Sequence, residues 1–251
     1  MPRFAANLSL LFTELPYLER FQAAAQAGFD AVEILFPYDL AAKETRRALL
    51  ANGLKLLLIN APPPNYTGGQ PGYAAVPDSA ARFRSDIHRV LRYAQVLRPD
   101  FIHIMSGYAS GPSATSQFVE NLIWAADLAP DQKFTIEPLN PLSQPGYYLN
   151  NYELAIEVLD QVNRPNVGLQ FDSFHAHVIH GDALAVWNRF HNHVFHAQIG
   201  AAPDRTEPGQ GPTDFQRLFN AMDQNGYAGW VSAEYHVSTP RTEQSLGWMR
   251  A

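Results

Sequence analysis

Leu54-Lys-Leu-Leu-Leu-Ile-Asn60 is apolar in all but Lys55 and the closing Asn60, and such a run reads as a strand buried on both faces. Burial on both faces belongs to parallel sheets whose crossover connections are helices. Upstream of this run, Leu40 to Asn52 reads as a helix closed by Gly53. Downstream, Phe83, Ile87, Val90, Leu91, Ala94 and Leu97 fall at helical spacing. The alternation continues to both ends of the chain. Strands are expected over 4–10, 31–36, 54–60, 101–105, 134–139, 167–171, 194–199 and 230–235. Helices are expected over 18–28, 40–52, 83–97, 116–129, around 154–162, over 183–190 and 215–222, with a short last helix within 243–250. Eight such units in 251 residues average about 31 residues each, which is the arithmetic of an α/β (β/α)8 TIM barrel. A doubly wound open sheet would show a glycine-rich first turn, whereas the first strand here runs into Leu11-Phe-Thr-Glu-Leu-Pro16. No linker, charge block or low-complexity segment divides the chain, so residues 1–251 are expected to form a single TIM-barrel catalytic domain.

Composition narrows the chemistry. The chain has no cysteine, which excludes disulfides, thiolate zinc sites, iron–sulfur clusters and a cysteine nucleophile. Any metal must be held by oxygen or imidazole. The 18 basic and 24 acidic residues leave a formal charge of −6, with no electrostatic footprint for nucleic acid. The densest basic run, Arg82 to Arg98, is interleaved with apolar residues and reads as a solvated helix face. The first residues lack the apolar stretch of a signal peptide, and no run of about 18 apolar residues could span a membrane. A cytoplasmic protein with no membrane partner is the expectation. Two connections, 61–79 and 141–150, are longer than a barrel needs and rich in proline, glycine and tyrosine (Tyr66, Tyr73, Tyr147 and Tyr148). Both follow strand C-terminal ends and are expected to be ordered covers over the functional face.

The last four strands end in oxygen-bearing side chains. Phe134-Thr-Ile-Glu-Pro-Leu-Asn140 carries Glu137, Val167-Gly-Leu-Gln-Phe-Asp172 ends in Asp172, Val194-Phe-His-Ala-Gln-Ile-Gly200 offers Gln198 or His196, and Trp230-Val-Ser-Ala-Glu-Tyr235 offers Glu234. The spacings from Glu137 through Asp172 and Gln198 to Glu234 are 35, 26 and 36 residues, near one βα unit each. Glu137, Asp172, Gln198 and Glu234 are therefore expected at one height around the barrel mouth. Three uncompensated carboxylates would repel one another. A divalent cation removes that conflict, and an all-oxygen donor set suits Mg²⁺ or Mn²⁺ better than Zn²⁺. His196 shares its strand face with Gln198 by period two and is read, like His103, as a structural histidine of the barrel interior.

These residues also carry a resemblance. Ile136-Glu-Pro-Leu-Asn-Pro141 followed by Pro145-Gly-Tyr-Tyr-Leu149 resembles the signature of the hydroxypyruvate isomerase family, a branch of the xylose isomerase-like, sugar phosphate isomerase/epimerase barrels. Supporting segments include Ala27-Gly-Phe-Asp-Ala-Val-Glu33, Gln170-Phe-Asp-Ser-Phe-His175, Ala197-Gln-Ile-Gly200, Pro203-Asp-Arg-Thr-Glu-Pro208 and Gly229-Trp-Val-Ser-Ala-Glu-Tyr235. The resemblance implies that Glu137, Asp172, Gln198 and Glu234 are metal ligands and that Glu137 and Glu234 are the catalytic pair. It implies that His175 and Arg205 bind substrate oxygens, with Glu207 orienting Arg205 by an ion pair. Glu33 also matches, with a structural role and a substrate contact both open. Three departures fall around the substrate end: His177 replaces an expected glutamine, His236 an expected basic residue, and Gly209-Gln-Gly-Pro212 lacks an acid.

The implied reaction is a metal-dependent isomerisation of a small 2-oxo acid, hydroxypyruvate to tartronate semialdehyde or a 2-oxo-tetronate. It would proceed by two-glutamate proton transfer through an enediolate, in a dimer or tetramer. A ketose 3-epimerase would use the same proton exchange at another carbon, although a histidine in place of Gln198 would suit it better. A non-catalytic sugar-acid binding barrel would not need two opposed bases. The endonuclease branch of the superfamily is disfavoured by the negative charge and the shortage of histidine ligands.

Overall fold

The computed structural model describes residues 2–62, 70–209 and 211–250. Its strands are β1 (Arg3–Asn7), β2 (Ala31–Glu33), β3 (Lys55–Leu56), β4 (Leu58–Ala61), β5 (Phe101–Ile104), β6 (Lys133–Ile136), β7 (Val167–Asp172), β8 (Val194–Ile199) and β9 (Trp230–Ala233). All neighbours pair in parallel, and the first strand lies against the last, with Arg3 opposite Trp230 and Ala6 opposite Ala233. The nine strands form eight staves, because β3 and β4 are one run interrupted at Leu57. The Leu57 N–H donates to the Val32 carbonyl at 2.8 Å, and the Leu57 carbonyl accepts from the Phe101 N–H at 2.8 Å. The expected 54–60 strand therefore bends from one neighbour to the other and shuts the barrel.

Helices surround the sheet: α1 (Arg20–Gln26), α2 (Ala42–Ala51), α3 (Ala80–Leu97), α4 (Pro112–Leu128), α5 (Tyr152–Val162), α6 (Ser173–His180), α7 (Ala183–Phe190) and α8 (Phe215–Gln224). Two helices follow β7 where the periodicity marks only 183–190. Gly181, at φ +81°, stops α6, and the Asp182 carboxylate caps α7 by accepting from the Leu184 and Ala185 N–H groups. The expected short last helix is a 3₁₀ helix over Thr242–Arg250. None of the described helices is long and apolar enough to cross a membrane.

Period-two alternation aims every second strand residue into the barrel. The lower interior is apolar, with Ala5, Ala31, Leu57 and Leu58 packed beside Phe101 and Trp230. One step higher the interior turns polar: Asn7, Glu33, Asn60, His103, Thr135, Gln170, His196 and Ser232 are all buried. Between sheet and helices lies the main core, which includes Phe21, Leu49, Ile87, Phe118, Val158, Trp187 and Leu218.

Of the two long connections, residues 63–69, including Tyr66, lie outside the described residues. The described remainder of the first is anchored where Gly72 bridges Ser106 and the Ala74 carbonyl accepts from the Asn121 side chain. The second connection is ordered at its C-terminal half. Tyr147 is buried and its hydroxyl accepts from the Ser106 N–H at 2.9 Å, while the Tyr148 N–H donates to Gly107. Its first residues are outside the core, and Leu142 is 82% exposed.

Candidate active site

Glu137 follows β6 directly, Asp172 ends β7, Gln198 lies in β8 and Glu234 follows β9. All four are buried. Gln170, two residues before Asp172 on the same inward face, ties part of the set together. Its Nε2 donates to Glu137 Oε2 at 2.9 Å and to Gln198 Oε1 at 2.7 Å, while its own Oε1 accepts from the Thr135 hydroxyl at 2.8 Å. Gln198 is held from its other end, because its Nε2 donates to Glu33 Oε1 at 2.8 Å. Glu33 also accepts from Asn7 at 2.8 Å and bonds His196 Nε2 at 2.7 Å. Glu33 and His196 are thus joined by hydrogen bonds in the buried polar layer beneath the quartet.

Arg205 enters from the loop after β8 with φ +54°, a left-handed conformation that costs a non-glycine residue roughly 1–2 kcal/mol. One guanidinium nitrogen, Nη2, donates to Asp172 Oδ2 and to Glu234 Oε1, each at 2.6 Å. Gly200 makes room for it: a Cβ there would meet the Glu234 carbonyl at 2.9 Å and the Arg205 Cγ at 3.1 Å. Asp172 and Glu234 therefore orient Arg205. Glu207 is buried and accepts from the Ser238 N–H and hydroxyl, anchoring the segment after β9. His175, on the first turn of α6, is buried, and its Nε2 lies 4.0 Å from Asp172 Oδ2. His177 is half-buried and His236 is exposed.

The electrostatics follow from burying so much negative charge. Burial raises the Glu137 pKa well above the ordinary range, and the charges of Glu234 and Asp172 add to the effect against Arg205. Burial likewise raises Glu234 well above the ordinary value against the Arg205 charge, and Asp172 is raised in the same way. Burial works to raise Glu33 too, but the His196 and Gln198 hydrogen bonds outweigh it and hold that carboxyl low. Burial opposes the Arg205 charge, yet Glu234 and Asp172 outweigh it and raise the guanidinium pKa. His175 is pushed well below its ordinary value, first by burial and then by Arg205. Three carboxylates in unfavourable ionisation states, beside one cation, are what a divalent ion would relieve.

The donors fit such an ion. Among the described residues, no donor reaches buried Glu137 Oε1 or Glu234 Oε2, whereas buried polar atoms are nearly always satisfied. Candidate ligand atoms of Glu137, Asp172 and His175 lie within 4.8 Å of one another. Residue patterning singled out Glu137, Asp172, Gln198 and Glu234 at the strand ends where they lie, but not Gln170, Asn7 or Thr135. Gln170 carried a usable signal, since it stands two residues before Asp172 as His196 stands two before Gln198.

Comparisons with known proteins agree with this architecture. The model of the xylose isomerase-like TIM barrel family matches residues 21–251. A 2-oxo-tetronate isomerase of Cupriavidus necator is 42% identical over 100% of this chain and 98% of its own. A hydroxypyruvate isomerase of Escherichia coli is 35% identical over 99% and 98%. A Brucella melitensis crystal structure, described as an AP endonuclease of family 2, superposes with a TM-score of 0.95 at 40% identity, covering 100% and 98% of the two chains. An L-ribulose 3-epimerase structure, at 20% identity and a TM-score of 0.78 over 100% of this chain and 87% of its own, shares the fold alone. The chain belongs to the xylose isomerase-like TIM-barrel family, and within it to the group of enzymes named as 2-oxo-tetronate and hydroxypyruvate isomerases.

Proposed function

We propose that this protein is a metal-dependent isomerase of a small 2-oxo acid, acting on a 2-oxo-tetronate or on hydroxypyruvate. The observation that carries the reading is the pair Glu137 and Glu234, each buried with one oxygen that finds no hydrogen-bond donor among the described residues. They stand on staves separated by β7 and β8, so two bases can address two carbons of one substrate. The full-length relatives named for these two substrates support the substrate class.

Glu137, Asp172, Gln198 and Glu234 would hold Mg²⁺ or Mn²⁺, which when bound supplies Lewis-acid polarisation of a carbonyl and its neighbouring hydroxyl. The chain's own groups perform the proton movements. One glutamate takes the proton from the hydroxyl-bearing carbon next to the carbonyl, giving an enediolate. The other returns a proton to the former carbonyl carbon, and the hydroxyl proton passes to the former carbonyl oxygen. The carbonyl has then moved by one position with no net redox change. Raised carboxyl pKa values bring both glutamates closer to the operating range of a general acid and base. Arg205 places positive charge beside Glu234 and Asp172, where substrate oxygens would gather negative charge. His175 adds a hydrogen-bond donor at the same place.

Solvent-deuterium exchange followed by NMR tests the reading. Hydroxypyruvate, a four-carbon 2-oxo acid and free ketoses would be incubated in D₂O with metal-stripped protein and with added Mg²⁺ or Mn²⁺. Metal-dependent deuterium incorporation into the 2-oxo acids, with the isomeric product, is expected. Exchange confined to C3 of a ketose would replace the reading with a 3-epimerase, and no exchange in any substrate would overturn it. Nuclease action is not proposed, because the net charge of −6 opposes a phosphate backbone.

A further inference from the structure

His175 is within reach of the carboxylate cluster, yet its ring orientation is decided by a residue outside it. Asn140, on the loop after β6, is fully buried. Its carboxamide oxygen accepts from the Leu142 N–H at 3.1 Å and the Ser143 N–H at 2.9 Å. Those donors belong to the backbone and cannot be exchanged for acceptors, so the Asn140 amide has one orientation and its Nδ2 faces away from them. That Nδ2 lies 2.8 Å from His175 Nδ1, and the Asn140 backbone N–H donates to the same atom at 2.9 Å. A backbone N–H only donates. Nδ1 must therefore carry a lone pair, and the ring proton must sit on Nε2, the nitrogen that faces Asp172. An imidazolium, or the other tautomer, would set N–H against N–H.

We infer that Asn140 is a positioning residue: it commits His175 to hydrogen-bond donation from Nε2 and withholds the ring from metal coordination. The inference deepens the isomerase reading, on which the substrate contact rests. Imidazole binds a metal through a lone pair, and the one lone pair on this ring is turned toward Asn140. His175 is thus a donor to a substrate oxygen, although it lies close enough to Glu137 and Asp172 to count as a ligand by distance alone. The remaining donor falls to Gln198. Its Nε2 donates to Glu33 and its Oε1 accepts from Gln170 Nε2, the same nitrogen that donates to Glu137.

The test is long-range ¹H–¹⁵N NMR of the His175 ring in the full-length protein, assigned with His175→Gln, before and after saturation with Mg²⁺ alone. A proton on Nε2 in both states is expected. A proton on Nδ1 in the native protein, or loss of the Nε2 proton when Mg²⁺ is added, would overturn the inference. Asn140→Asp keeps an oxygen for the Leu142 and Ser143 N–H groups but replaces the second donor with an acceptor. It should create an Nδ1–H population and lower kcat by about tenfold to a hundredfold, with KM within about twofold. Asn140→Ala should lower kcat in the same direction. An unchanged tautomer together with kcat within twofold in Asn140→Asp would remove the side chain from the role. The ring spectra and the Mg²⁺ titration need no substrate, so they judge Asn140 even if the isomerase reading fails.

Discussion

The barrel interior changes character within two residues on stave after stave. Ala31 gives way to Glu33 on β2, Leu58 to Asn60 on β4 and Phe101 to His103 on β5, and all six are at least partly buried. The lower layer is closed with apolar side chains and stabilises the fold by excluding water. The upper layer buries amides, imidazoles and carboxylates, each of which costs free energy unless paired. Most are paired: Glu33 has three partners, and Gln170 has three. Among the described residues, the exceptions are Asn60 Oδ1, Ser232 Oγ and both ring nitrogens of His103 in this layer, and Glu137 Oε1 and Glu234 Oε2 above it, none of which has a hydrogen-bond partner. Within the barrel interior, apolar packing lies at the bottom and the groups that can do chemistry lie at the top. An ion bound at the top would change the balance of the upper layer and leave the lower one untouched.

Substitutions can break that division. The largest expected effect is on proton exchange: Glu137→Gln and Glu234→Gln should each lower deuterium incorporation by roughly 10²–10⁴-fold. The fold should survive, since each removes a buried charge that its neighbours oppose. Full exchange in either variant, by the NMR assay above, would end the two-base mechanism. In the lower layer, Leu58→Ala should cost about 2–5 kcal/mol in denaturant unfolding, with exchange per folded molecule unchanged. A loss of exchange there would show that the two layers are not separable.

Gln170→Leu sharpens the comparison, because it empties a hub of the upper layer without replacing a carboxylate. It should weaken Mn²⁺ binding by about 10–100-fold in a calorimetric titration, since Glu137 and Gln198 each lose the donor that aims them. Unchanged affinity would mean that the strands alone position those groups. The smallest effect is a slope. Burial holds the folded His103 pKa down to about 3, whereas the unfolded ring titrates near about 6.5. Below that value the unfolded chain binds a proton that the folded one refuses. This contribution to stability is therefore present above pH ~6.5 and lost progressively as pH falls toward the folded pKa. His103→Gln should show a shallower fall in Tm between pH ~6.5 and ~4.5, and an identical slope would show that His103 protonates freely in the fold.

Much of this was legible in the residues. Leu54 to Asn60 announced a doubly buried strand, and its neighbours repeated the strand–helix unit eight times. Glu137, Asp172, Gln198 and Glu234 announced themselves through spacing, because residues one βα unit apart return to the same height on a closed parallel barrel. His196 was legible as an interior group because it shares a face with Gln198. The two helices after β7 were not separated by periodicity, because α6 is only eight residues long and its buried first turn, Ser173 to Ala176, mixes polar and apolar side chains.

Residue types and their spacing along the chain determined the barrel and the oxygen-rich end of four staves. The tertiary structure alone decided how those groups are oriented. Arg205 falls to Asp172 and Glu234, Glu207 to Ser238, and His175 takes its tautomer from Asn140, 35 residues away in sequence. Periodicity sets the direction in which a side chain leaves the backbone, which is a local property. A hydrogen bond depends on which atoms of distant segments meet, and that is settled only when the barrel has closed.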